Sequence, residues 1–213
     1  MPFKSFDNFI FDLDGTLIDS APEVLSCIKR AFDNCNVSFD ESRLNTDIMG
    51  PTMYEIVKLV NPTLKDDDVI QKIVSEYRYL YDNDENDITK LYPNIKKLLE
   101  TLKRNNKKIF IATNKPKIPT LRLVKQLNIN FFDDIYTVDK YDNKKINKQQ
   151  MIEDIVLKYN LGKEKTIMIG DCLSDIEAGI KAQVKTLVAL WGYGKDKNIL
   201  KTKSDFNLEK IND

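Results

Sequence analysis

The strongest constraint in this 213-residue chain is the stretch from Phe9 to Ser20, FIFDLDGTLIDS. Phe9, Ile10 and Phe11 form an apolar run of aromatic and β-branched residues cut off by a polar break, which reads as a short buried strand. Asp12 and Asp14 follow where that strand gives way to a loop. Side chains two apart on a strand point to the same face, so both carboxylates project toward one point. Two negative charges that close repel unless a proton or a cation lies between them. A hard cation such as Mg²⁺ takes oxygen ligands of this kind and leaves room for a phosphate. The alternative is a strand followed by an Asp-Gly turn, with both carboxylates bonded to local backbone.

Composition removes several function classes. Lys and Arg number 33 against 33 Asp and Glu, so no general basic field points to nucleic acid. No apolar run approaches the roughly 20 residues of a membrane span, and no basic-then-apolar secretory pattern opens the chain. Cys27, Cys35 and Cys172 are odd in number and lack zinc-ligand spacing, as expected of reduced thiols in a cytoplasmic protein. Histidine is absent, which excludes a Ser-His triad, a His-ligated metal and a phosphohistidine. Acid–base chemistry therefore falls to carboxylates, Lys, Tyr or Cys. Nothing in the pattern selects a monomer over a homodimer.

The region from Ala21 to Asn86 reads as helical throughout, with Ser20 as N-cap, Pro22 in the first turn and Glu23 at the positive helix end. Gly50-Pro51 breaks the periodicity, a second apolar run spans Met53 to Val60, and Asp66, Asp67 and Asp68 open a third helix. That acidic triplet offsets a helix dipole more simply than it builds a metal site. The polar stretch Tyr81 to Asp87 reads as a return hinge. From Pro93 onward helices alternate with strands over 109–112, 135–138, 166–169 and 186–190, with Gly162 a helix stop and an edge strand near Phe206. Repeated β-α units build a parallel sheet covered by helices, and ligands in such sheets sit at the carboxyl ends of the strands. The expected architecture is α/β: a Rossmann-like parallel-sheet core with helices on both faces (1–18 and 88–213) and an inserted α-helical cap (19–87) that serves as a lid.

Two more strand ends and one lysine run carry candidate chemistry. Thr113 and Asn114 end the 109–112 run, where they hold a phosphate oxygen or cap the next turn. Asp171 ends the 166–169 run and Asp175 lies one helical turn on, where an acid coordinates a metal or offsets the helix dipole. Lys144, Lys145 and Lys148 crowd together before the Met151 helix, a charge run whose default is solvation.

Taken together these pieces resemble the haloacid dehalogenase-like hydrolase superfamily. DLDGTLIDS supplies its first motif, ATNK at 112–115 its second, Lys148 (with Lys145 as alternate) its third and GDCLSD at 170–175 its fourth. The run GDCLSDIEAGIKA with VALWGYG at 188–194 looks most like the phosphoglycolate phosphatase-like branch. The resemblance implies that Asp12 attacks phosphorus and that Asp14 serves as acid, then base. It implies Mg²⁺ held by Asp12, the Asp14 carbonyl and Asp171, with Asp175 orienting the metal's water or the lysine. Thr113, Asn114 and Lys148 would grip phosphate oxygens, and Gly50, Thr52 and Tyr54 would touch the leaving group of a small phosphorylated metabolite. An acid at position 14 favours phosphoryl transfer over dehalogenation, because an alkoxide leaving group needs a proton. The rival readings are a phosphosugar mutase, a pyrophosphatase or nucleotidase, and a non-catalytic binding domain with this fold.

Overall fold

Alternation along strand β1 (Asn8–Phe11) decides which residues face which side of the sheet. Phe9 and Phe11 pack with Ile109, Ile111, Ile167 and Ile169 in one core. Ile10 packs with Phe110, Ala112 and Met168 in another. A strand buried on both faces needs helices on both faces. The computed structural model describes residues 2–83, 88–141 and 145–211. Positions 84–87 of the expected hinge, and Lys144, lie outside the described residues.

The chain divides into two compact units, one of residues 1–19 and 90–213, the other of residues 20–89. In the first, β1, β4 (Lys108–Thr113), β5 (Asp134–Thr137), β6 (Thr166–Gly170), β7 (Lys185–Ala189) and β8 (Phe206–Leu208) form one parallel sheet in the order β5-β4-β1-β6-β7-β8. β2 (Ile18–Asp19) and β3 (Lys90–Leu91) make a separate antiparallel pair. Helices α4 (Ile95–Arg104) and α5 (Lys117–Gln126) bury Leu98, Leu99, Leu102, Leu123 and Val124 against the Phe9 face. On the Ile10 face, α6 (Lys148–Lys158) buries Met151, Ile152 and Ile155, and α7 (Leu173–Lys181) contributes Ala178. This is the Rossmann-like α/β core expected from the β-α repeats. From β1 the strands proceed outward through β4 to β5, then restart on the other side at β6. The strand order therefore reverses at β1, and the crevice at its carboxyl end is where such sheets bind ligands.

The second unit holds α1 (Ala21–Asn34), α2 (Met53–Val60) and α3 (Asp67–Asp82) around Val24, Ile28, Phe32, Ile56, Val57, Ile70 and Ile73. Between α1 and α2, where the sequence reads as helical up to the break at Gly50-Pro51, the chain forms two short 3₁₀ turns. Asp66 caps α3 by accepting from the Asp68 and Val69 N–H groups. Ser20 stands before α1, but its backbone is already helical (φ −96°, ψ −6°) and its hydroxyl makes no capping bond. Gly162 is not the stop of α6. Asn160 takes the left-handed turn there instead (φ 50°), and Gly162 begins a later 3₁₀ turn. Among the described residues no helix is long and apolar enough to cross a membrane.

Asp134, at the start of edge strand β5, ties that edge to α6. Its carboxylate accepts from Lys140 Nζ at 2.8 Å, Lys158 Nζ at 2.9 Å and the Ile135 N–H at 2.8 Å. Burial pushes this carboxyl up, but those hydrogen bonds outweigh it and hold the group down at about 2. A depressed carboxyl adds stability above its unfolded value, near 4, and loses it as pH falls through the folded value. Asp134→Asn is therefore expected to be less stable than the parent at neutral pH, with the gap closing between pH ~4 and ~2. Urea titrations of both proteins across that range check it. A gap that does not depend on pH would contradict the assignment.

Candidate active site

At the end of β1 the backbone of Asp12 still belongs to the sheet, its N–H donating to the Ile169 carbonyl at 2.8 Å. The chain then turns sharply. The Leu13 carbonyl accepts from the Leu17 and Ile18 N–H groups at 2.9 and 3.1 Å. Gly15 sits in this turn at φ +76°, where a Cβ would lie 2.4 Å from an Asp171 carboxylate oxygen. Both the conformation and the close approach require glycine. The turn leaves Asp12 buried at the strand end and presents Asp14 beyond it.

β6 runs beside β1 in register, Phe11 opposite Ile169, so Asp171 emerges next to Asp12. Its carboxylate is fully buried and held from three sides. One oxygen accepts from Thr16 Oγ1 at 3.1 Å, the other from the Tyr193 and Gly194 N–H groups at 2.8 and 3.1 Å. Burial and the neighbouring Asp175 push it up to about 6, against the pull of Lys148, Thr16 and the Tyr193 N–H. One turn into α7, Asp175 is also fully buried; it accepts from the Cys172 N–H at 2.9 Å and from Lys148.

Lys148 is the first residue of α6, whose N-terminus is closed by a capping box between Asn147 and Gln150. That placement sends its ammonium inward, 3.0 Å from Asp12 Oδ1 and in contact with Asp175. Lys145 is exposed. Three buried carboxylates (Asp12, Asp171, Asp175) thus surround one ammonium, an excess of negative charge in a dry site. Burial pushes the Asp12 carboxyl up, only partly offset by Lys148. A bound cation relieves the same stress. Burial also pushes the Cys172 thiol up and keeps it neutral, so the cluster offers hard oxygen donors and no thiolate. That donor set suits Mg²⁺.

A family model for haloacid dehalogenase-like hydrolases matches residues 9–189. The chain belongs to that family. It is 31% identical over 210 residues to a phosphoglycolate phosphatase of Aquifex aeolicus, covering 96% of this chain and 92% of the relative. It is 28% identical, over 210 residues, to the pyrophosphatase PpaX of Listeria monocytogenes, covering 96% of this chain and 92% of that one. Among solved structures it resembles a haloacid dehalogenase-like family hydrolase of Streptococcus pneumoniae, with a TM-score of 0.82, 28% identity and 97% and 95% of the two chains covered. Family membership with a phosphatase as a relative along almost the whole length makes the chain a phosphatase of that family.

In this hydrolase Thr113 ends β4, buried, and its hydroxyl accepts from the Lys115 N–H at 3.1 Å, while Asn114 is exposed. Gly50, Thr52 and Tyr54 belong to the second unit. Gly50 takes φ +115° with open space where a Cβ would stand. Thr52 caps α2 in a reciprocal box with Glu55, and the Tyr54 hydroxyl donates to Asp67 at 2.6 Å. The Thr52-x-x-Glu55 spacing was the available signal for that cap. Trp191, Gly192 and Tyr193 follow a strand end and read in the sequence as a pocket edge or as core packing, while one contact of the first unit is passed over. Lys115 Nζ lies 2.8 Å from Asp14 Oδ1. The Trp191–Gly194 segment is the cradle of Asp171, with Trp191 Nε1 donating to the Thr16 carbonyl at 3.1 Å and the Tyr193 hydroxyl to Asp19 at 2.6 Å. Its signal was the pair Gly192 and Gly194. A Cβ would lie 2.4 Å from the Asp171 Cβ at the first and 1.8 Å from the Asp171 carbonyl at the second.

Proposed function

We propose that this chain is a Mg²⁺-dependent phosphomonoesterase of small phosphorylated metabolites that works through a phosphoaspartyl intermediate on Asp12. The supporting observation is the Asp12 carboxylate at the strand-order reversal, 3.0 Å from a lysine that it shares with Asp175 and beside the buried Asp171. Asp12, Asp171 and the Asp14 carbonyl would hold Mg²⁺, with Asp175 at its edge, and the ion would offset charge between carboxylate and phosphate.

An Asp12 oxygen attacks phosphorus, the phosphorus–ester-oxygen bond breaks, and Asp14 gives that oxygen its proton. Water then attacks the phosphoaspartate while Asp14 takes a proton back. The acyl-phosphate bond breaks at phosphorus, which releases phosphate and restores Asp12. Lys148 holds Asp12 in line through one N–H and, with Thr113 and Asn114, takes phosphate oxygens. Asp175, fixed by the Cys172 N–H, keeps Lys148 in place. The α-helical unit acts as a cap, with Gly50, Thr52 and Tyr54 as its contacts to the leaving group.

The name of the Aquifex relative makes 2-phosphoglycolate the first substrate to try. Phosphate release from 2-phosphoglycolate, hexose phosphates, nucleoside monophosphates and pyrophosphate, with Mg²⁺ and with EDTA, tests the proposal. We expect Mg²⁺-dependent release with one strong preference, and a changed order of preference in Tyr54→Ala. No release from any member overturns the phosphatase reading, and an unchanged order overturns the assignment of Tyr54.

A further inference from the structure

The core unit buries a second lysine that the chemistry above does not use. The Lys115 side chain is 6% exposed, and its ammonium lies 2.8 Å from Asp14 Oδ1, on a side chain 26% exposed. Lys115 stands two residues past β4 and Asp14 three past β1, and these strands are neighbours in the sheet. The pair therefore bridges two adjacent loops at the carboxyl end, separate from Lys148 on Asp12 and Asp175. Burying an ammonium is costly unless anions around it repay the lost hydration. A neutral donor would orient Asp14 without that cost. A lysine also supplies a field that reaches past Asp14, and an ammonium can bridge two anions.

We infer that Lys115 is a subsite for an anionic group on the leaving side of the substrate. The inference rests on the phosphatase reading, in which Asp14 serves the ester oxygen. An ammonium bonded to Asp14 then lies within about 6 Å of that oxygen, twice a hydrogen-bond length. A carboxylate or second phosphoryl group one or two atoms from the ester oxygen falls inside this span, and an uncharged leaving group has nothing to offer there. The preferred substrates are accordingly compact diacids: phosphate esters or anhydrides whose leaving group carries its own negative charge.

The test compares 2-phosphoglycolate and pyrophosphate with 2-hydroxyethyl phosphate, a neutral counterpart of similar size, in the parent, Lys115→Met and Lys115→Arg. The parent is expected to favour at least one anionic substrate in kcat/KM. Which one it favours separates a carboxylate from a phosphoryl subsite. Lys115→Met is expected to lower the anionic-over-neutral ratio by about 10- to 100-fold, the worth of one charge-assisted hydrogen bond. Lys115→Arg should keep most of it. An unchanged ratio, even with both rates reduced, means that Lys115 only positions Asp14 and overturns the inference. So does a parent without any preference. Thermal shifts of the parent with each compound read the same contact without turnover. Should no ester be hydrolysed, the phosphatase reading fails, and equal shifts would then overturn the Lys115 subsite separately.

Discussion

Asp12→Asn is expected to remove phosphate release, by on the order of 10⁴-fold or more, in a protein that folds as the parent does. The two halves of this expectation have different causes. An amide oxygen is a poor nucleophile and cannot form the acyl phosphate, so loss falls on kcat rather than on KM. The fold survives because Asp12 is one of three buried carboxylates around one ammonium, and Lys148 keeps Asp175 when Asp12 loses its charge. Removing a like charge from a crowded buried cluster relieves repulsion. The thermal midpoint should accordingly be equal to the parent's or higher. Turnover, melting curves and phosphoenzyme trapping on both proteins check this. Residual turnover above a few per cent would remove Asp12 from the nucleophile's role.

Lys148→Met is expected to damage both properties. It leaves Asp12 and Asp175 facing each other in the interior with no positive partner, and Asp175 is fully buried. Breaking a buried ion pair from one side typically costs about 3–5 kcal/mol, a large share of a domain's net stability. The same substitution removes the donor that holds Asp12 in line and meets the phosphate, so turnover should fall by at least about 10²-fold. Adding Asp175→Asn to Lys148→Met should restore part of the stability and none of the activity. Urea unfolding and phosphate release on the single and double variants separate the two effects. A Lys148→Met protein as stable as the parent would show that the carboxylates are protonated or solvated and that the lysine is not their counter-ion.

Much of the core was legible because it is local. The FIF run, the Asp12–Asp14 spacing and the β-α repeats each lie within a few residues, and strand geometry turns such spacing into direction. The same holds for Asp171 and Asp175, one helical turn apart at a strand end. The choice between Lys145 and Lys148 was not local. It depends on which lysine the capped start of α6 aims at Asp175, 27 residues further on. The Lys115–Asp14 pair spans 101 residues, and the bonds from Tyr193 and Gly194 to Asp171 span 22 and 23. Contacts at such separations follow from the order of strands in the sheet, which single-strand patterns do not encode. The capping role of Thr52, by contrast, is local, its partner Glu55 being only three residues away.

The placement of β1 also bears on how the protein emerges from the ribosome. This strand is made first, yet its two sheet neighbours begin at Lys108 and Thr166. Between them the ribosome releases residues 20–89, which have a helical core of their own. Phe9, Ile10 and Phe11 must therefore wait for the strands that cover them until those residues have been made, with apolar side chains and both backbone edges open to other nascent chains. The length of chain that separates the nucleophile from its lysine and metal ligands is also the interval over which the newborn protein needs protection from aggregation.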